Sequence, residues 1–355
     1  MKIKIIIVSL ILFFGLHHQK IYAQEKSVFI DTISPYQNIV VGQTIPINVG
    51  VTSVTPNTTY KYFFYGGIAP DDYISVQTIG TDNSIINISN ITLNGGNSIS
   101  LSEGSTTPVV FGATVTDNNG CSDISSVVSS LYRSGVGYSA CDTSGKSNSN
   151  NCYAALSCSI GSNTCDGSTD ASASYTCTAY LKYYADPTDT GTIYSGQTWV
   201  NTFKASDESL NDTQTIGTGV VLNSLLAMDI GSSLAYGNLS AGQTLSPMTA
   251  QTIVTATGNV GLDQTLEGID MSDGASHTIS VGNQRYSLAF NSAYSSGSAL
   301  TALPIESELN CKKTTSDIGE TKPTYWGISI PSGTVAGTYT GTNTIIAVKG
   351  ETAQW

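Results

Sequence analysis

The sequence predicts an all-β protein of tandem antiparallel β-sandwich domains behind a cleaved signal peptide, and three observations carry that expectation. Short runs alternate apolar with polar residues, favour Val, Ile, Thr and Tyr, and stop at Gly, Asn, Asp or Pro, the mark of antiparallel strands. A 3.6-residue period is hard to find. Its best example, Leu222 to Met228, contains Asn223-Ser224 and reads as a linker, and no strand-helix alternation supports a parallel α/β sheet. Charged residues form only 11% of the 355, against about 25% in an ordinary soluble domain. Ser and Thr together form about a quarter of the chain, beside 35 Gly, so hydroxyls and amides must wet this surface. At 40%, hydrophobic content is sufficient for a core.

The chain starts with a segment to set aside. Lys2 and Lys4 precede an apolar run from Ile5 to Leu16, and Ile21-Tyr22-Ala23 offers a small residue for cleavage. The run is short against the roughly 20 residues that span a bilayer, so 1–23 is expected to be a signal peptide rather than an uncleaved anchor. No lipobox Cys follows it, and no apolar tail or sorting motif precedes Trp355. The expected product is exported, without a transmembrane anchor, and associated with the cell surface. Losing Lys2, Lys4 and Lys20 leaves 26 acidic against 11 basic residues, a net −15. With no basic cluster beyond Lys312-Lys313, no nucleic-acid footprint exists.

Strand patterns then follow at Val28-Phe29-Ile30, Ile45 to Val49, Tyr60 to Tyr65, Val110 to Thr116, Val127 to Tyr132 and Tyr175 to Tyr183. They continue at Trp199 to Ala205, Thr252 to Thr257, His277 to Val281 and Ile345 to Val348. Sandwich-sized spacing divides the chain into modules at 24–97, 98–224 and 225–355, with boundaries at the Asn94–Asn97 run and near Val220 to Leu226.

Six of seven cysteines, Cys121, Cys141, Cys152, Cys158, Cys165 and Cys177, crowd into the middle module. No C-x-x-C knuckle is present, so in an exported chain they predict three disulfides rather than zinc. Of the 15 connectivities open to six cysteines, we expect Cys121–Cys177, Cys141–Cys152 and Cys158–Cys165. These would staple an insertion over about 136–174, whose Ser, Asn, Gly and Asp content cannot order itself by burial. Cys311 is left over, as a buried free thiol or an intermolecular bridge.

Thr107 to Ser224 contains Val115-Thr116-Asp117 with Gly120, the aromatic run YTCTAYLKYYADP, and Trp199 with Asn201, Phe203, Ala205 and Asp207. This third of the chain resembles bacterial Ig-like, PKD-like and cadherin-like surface modules, though those lack a cysteine-stapled insertion. In the last module, Tyr236-Gly237 with Gly242-Gln243, Thr257-Gly258-Asn259-Val260, and Pro331 to Gly341 resemble fimbrial or surface-layer sandwich domains. The resemblance implies an Ig-like sandwich fold, and for the last module relatives that polymerise by lending a strand.

Catalytic chemistry finds little footing. Asp189-Thr190-Gly191-Thr192 matches one aspartic-protease loop, but that chemistry needs two carboxylate loops and no second one exists. No G-x-S-x-G elbow is present, and His277 would be the only histidine of the exported chain. Glu306 and Glu308 share one strand face as an acid pair would, or as exposed glutamates do, and Asp71-Asp72 reads as a turn. The expectation is therefore a non-enzyme with no cofactor unless calcium. Asp117, Asn119 and Asp123 place three oxygen donors in one inter-strand loop, and Asp207 ends another strand of the module. That loop departs from the EF-hand pattern because Cys121 occupies a ligand slot, and an Asx-turn serving its own backbone explains the same residues.

The 19 tyrosines, some paired as in Tyr183-Tyr184 and Tyr60 with Tyr62, suit carbohydrate or protein contact as well as sandwich edges. Asn57, Asn87, Asn90, Asn211 and Asn238 stand in N-x-S/T form. The expected role is structural or adhesive, in contact with other surface proteins, with itself or with glycans. A glycan-binding module and a hydrolase with an unrecognised site are the alternatives.

Overall fold

The computed structural model describes residues 86–355 except 119, 163, 167–169 and 208–212; before 86 it describes only the backbone of short strands. The signal-peptide expectation, and most of module 24–97, thus lie outside the described residues. Within that module, Val28–Thr32 pairs with Asn48–Val51 and Thr59–Phe63 with Tyr73–Gln77, all antiparallel.

The first sandwich is built from β1 (Asn87–Leu93), β2 (Thr106–Thr116), β3 (Ile124–Arg133), β4 (Cys152–Ser157), β5 (Ser159–Ile160), β6 (Ser172–Lys182), β7 (Trp199–Asp207) and β8 (Thr213–Ile216). One sheet runs β4-β3-β7-β8 and the other β5-β6-β2-β1. The period-2 pattern decides what faces inward. Val109, Phe111, Ala113 and Val115 of β2 meet Ala173, Cys177, Ala179 and Leu181 of β6 and Trp199 and Phe203 of β7 in one core. Phe111 and Phe203 stack edge to face at 6.1 Å across the two sheets. Residues 87–93, where no strand was expected, fall within the expected module 24–97, but as strand β1 they are hydrogen-bonded to β2 and complete this sheet.

The second sandwich comprises β9 (Met228–Ile230), β10 (Ala250–Ala256), β11 (Leu262–Gly268), β12 (Gln284–Ser287), β13 (Ser298–Ala299), β14 (Ile305–Cys311), β15 (Thr321–Ile328) and β16 (Asn343–Lys349). Its sheets run β9-β10-β15-β12-β13 and β14-β11-β16. Trp326, fully buried on β15, packs against Tyr286 at 5.8 Å and donates its indole N–H to Thr252 Oγ1 at 2.9 Å. All ladders in both sandwiches are antiparallel, and no helix among the described residues is long and apolar enough to cross a membrane. The chain is therefore an all-β protein of tandem sandwiches.

Three disulfides form, among the six expected cysteines. Cys141–Cys152 is the expected pair; the other two are Cys121–Cys165 and Cys158–Cys177, in place of the expected Cys121–Cys177 and Cys158–Cys165. Strand register is the reason. Antiparallel pairing of Ser159 with Thr176 and Ile160 with Tyr175 sets Cys158 directly opposite Cys177. Cys121 then meets Cys165, where Cys121 N donates to Asp170 O at 2.7 Å and the returning loop lies over the β2–β3 corner. Nor is the insertion a mere appendage. It supplies β4 to one sheet and β5 to the other, so the chain crosses between sheets at Cys158.

Candidate functional site

The corner that follows β2 gathers carboxylates. Asp117 is the residue after β2 and is fully buried, while its backbone N–H donates to Ala171 O at 2.7 Å. Gly120, at φ +116° where a side chain would be strained, turns the chain into the short 3-10 segment Cys121–Asp123. There Asp123 is half-buried. Asp207 closes β7, where a register shift beside Ile124 brings it to the same corner. One carboxylate oxygen from each of Asp117, Asp123 and Asp207 lies within 4.8 Å of the others. Of the three expected ligands, Asp117 and Asp123 thus come together, Asn119 lies outside the described residues, and Asp207 joins from 84 residues further along the chain than Asp123. All-oxygen donors on turns suit calcium chemistry.

A second assembly was not expected from the sequence. Asp186, 4% exposed, accepts Arg133 Nε at 3.1 Å on one oxygen and Lys313 Nζ at 3.1 Å on the other. Lys313 is 7% exposed and also donates to Asn150 Oδ1 at 3.0 Å. Burial pulls the Lys313 ammonium below its ordinary value, and the Asp186 charge opposes that pull. Arg133 also donates to Gln197 Oε1 and lies over the Tyr194 ring at 3.7 Å. Lys313 belongs to the second sandwich and its partners to the first, so the cluster is a joint between them.

Further contacts seal that joint. Asn259, fully buried, accepts Leu225 N at 2.6 Å and donates to the carbonyls of Ala185 and Asn223 at 3.1 Å each. Beside it, a Cβ on Gly258 would lie 2.0 Å from Leu225 O, so the linker passes where only glycine leaves room. Lys182 pairs with Asp317 at 2.9 Å, and Thr257 Oγ1 donates to Glu103 Oε1 at 2.7 Å. Tyr183 and Tyr184 were read as a pair suited to exposed contact. They are 6% and 4% exposed and stack on each other at 5.1 Å, with Tyr183 reaching Ser316 O across the joint.

The remaining sequence candidates are dispersed. His277 Nδ1 contacts Asp273 Oδ2 at 2.6 Å, and the same carboxylate accepts the amides of Ala275 and His277. That arrangement is a hairpin turn, and the His277 hydrogen bond first of all holds Asp273 below the usual carboxylate range. Asp189 is likewise in a turn, accepting Thr192 Oγ1 on its carbonyl and Ser224 Oγ on its carboxylate, both at 2.8 Å. Glu306 and Glu308 are exposed on β14, and Glu308 faces Asp263 and Glu351. Cys311 is fully buried and unbridged, its thiol pushed up to about 11 chiefly by desolvation.

No protein-family model matches the chain, and no curated protein matches it. Among solved structures, a marsupial T cell receptor is 12% identical over 75% of this chain and 71% of its own, at a TM-score of 0.19. A chain titled BspA_C_WT is 10% identical over 72% of this chain and 94% of its own, also at 0.19. The fold assignment rests on the strand pairing described above.

Proposed function

We propose that this chain is a structural or adhesive element outside the cell, without catalytic activity, whose two described sandwiches act as one rigid unit. The joint carries that reading: a lysine of one sandwich is buried against an aspartate and an asparagine of the other. Burying an ammonium is costly unless its partners are fixed, so a joint of this kind resists bending as a polar, hydrated linker does not. Three disulfides suit an oxidising compartment. The sole histidine beyond residue 18 is committed to a turn, which favours a non-enzyme.

Antibody staining of intact cells tests the placement. Signal before lysis is expected, and signal only after lysis overturns it. Small-angle scattering tests rigidity, with one compact arrangement expected for the two sandwiches; a broad ensemble overturns it. We also propose that Asp117, Asp123 and Asp207 hold calcium. The expected result is a melting midpoint that rises between chelator and millimolar calcium, with the Asp117-corner share of that rise lost in Asp207→Asn; an unchanged rise in the variant dismisses this corner.

One observation favours glycan contact as a second reading. Tyr180 on β6 is 63% exposed, pairs across the sheet with Pro108, and has Val110, 50% exposed, on the same outer face. Polysaccharide binding that disappears in Tyr180→Ala would establish it, and no binding on a glycan screen would remove it.

A further inference from the structure

At the C-terminal end of the second sandwich another set of oxygen donors converges. Asp263, fully buried on β11, uses Oδ1 to accept the Asn310 N–H at 2.6 Å. Asn310 adopts φ +56°, and its Nδ2 donates back to Glu308 O at 2.8 Å. Glu308 and Glu351 are exposed, and one carboxylate oxygen each from Asp263, Glu308 and Glu351 falls within 4.8 Å of the others.

A cluster of carboxylates alone says little, but Gln354 adds an independent observation. Its side chain is aimed into the cluster and the residue is 4% exposed. Gln354 Nε2 lies 2.7 Å from Glu351 Oε2, 3.0 Å from Asn310 Oδ1 and 3.2 Å from Asp263 Oδ2. An amide nitrogen has only two hydrogens to offer three acceptors. The Oε1 of the same amide is buried with no hydrogen-bond partner among the described residues, an expensive arrangement. A weakly positive amide stands where the donors call for a full positive charge. Rotating that amide by half a turn would replace Nε2 with Oε1 and complete an all-oxygen set.

We propose that Asp263, Glu308, Asn310, Glu351 and Gln354 form a binding site for a divalent cation of the calcium class. Three carboxylates and two amide carbonyls are hard oxygen donors, with no imidazole or thiolate to favour zinc or copper. The donors sit on two strands and a C-terminal turn, an adaptable frame that suits calcium better than the strict octahedron of magnesium. Cation binding would fasten Gln354, whose carbonyl accepts the backbone N–H of Lys313 at 2.8 Å, and so tie the site to the joint between sandwiches.

Terbium luminescence sensitised by Trp355, whose indole lies against Gly350 O at 3.3 Å, reads this site directly. The full chain is used with Asp207→Asn in place, so that the Asp117 corner does not contribute. Luminescence that calcium displaces is expected, weakened about tenfold or more by Glu351→Gln. Because Glu308 and Glu351 are exposed, the Glu308→Gln/Glu351→Gln variant should melt at or above its parent without metal, while losing the rise that calcium gives. Terbium binding unaffected by those two changes would overturn the proposal, as would the absence of displaceable luminescence at millimolar calcium. Equal displacement by magnesium overturns the calcium assignment.

Discussion

The two sandwiches solve the same problem by different means. The first holds all three disulfides, and the second holds one buried, unbridged thiol. The first carries the long Ser-, Asn- and Gly-rich excursion between β3 and β6, which has few side chains to bury and so cannot offset its own ordering entropy. The second sandwich has shorter excursions and instead buries amides paired through one of their two polar atoms, Gln264 Oε1 and Gln284 Nε2 having no hydrogen-bond partner among the described residues. Gln264 Nε2 donates to Thr324 Oγ1 at 2.7 Å, and Gln284 Oε1 accepts Tyr236 at 2.8 Å and Asn343 at 2.9 Å. Covalent closure thus stands where the insertion has little apolar area of its own to bury, and buried amides stand in the sandwich whose core is divided into two smaller clusters.

Reduction gives the largest test of this contrast. Loop-closure entropy assigns about 4 kcal/mol to Cys121–Cys165, which spans 44 residues, and about 3 kcal/mol to each of the shorter pairs. Hydrogen exchange in reductant should lose protection over β2 to β7 while β10 to β16 keep theirs. Uniform loss across both would break the contrast.

Next in size is Lys313→Met, which leaves Asp186 with one cation rather than two. It should cost about 3 kcal/mol and broaden the scattering ensemble. A loss of stability with no gain in flexibility would separate packing from jointing. Gly258→Ala should follow at about 2 kcal/mol, because its Cβ collides with backbone that can move only by displacing the linker. Chemical denaturation reads it, and a neutral result would mean that residues 223–227 shift freely.

The smallest effect concerns the second sandwich and pH. In the unfolded chain the Cys311 thiol ionises near its ordinary value of 9, but in the fold only near 11. The folded state therefore holds its proton longer, and stability should fall as pH climbs through that interval. Alkaline melts of Cys311→Ala should show a shallower fall. An identical slope would assign the alkaline loss to buried tyrosines such as Tyr153 and Tyr236, which burial also raises.

Legibility followed the range of the interactions. Strands such as Val110 to Thr116 and Trp199 to Ala205 were readable because one face is apolar and the other is not. Strand β11, Leu262–Gly268, was missed. It buries Asp263 and Gln264 beside Leu262 and Leu266, and the partners that make those polar residues tolerable come from 47 to 91 positions away. Strand β1 was missed because its Asn-Gly-Gly-Asn tail reads as a boundary, yet the chain merely turns there and returns at β2. At the Asp117 corner, two aspartates six residues apart could be grouped by inspection, while the position of Asp207 depends on a register shift at the end of β7.

By itself the sequence determined that the chain is all-β, that its surface is wetted by hydroxyls and amides, and that six of its cysteines pair. Those properties depend on composition and on a period of two, both local. Only the tertiary structure decided which cysteines meet, where Lys313 is buried, and which oxygens surround Gln354. Each of those depends on strand register and on how two sandwiches abut, and a shift of one residue would send every such side chain to the opposite face.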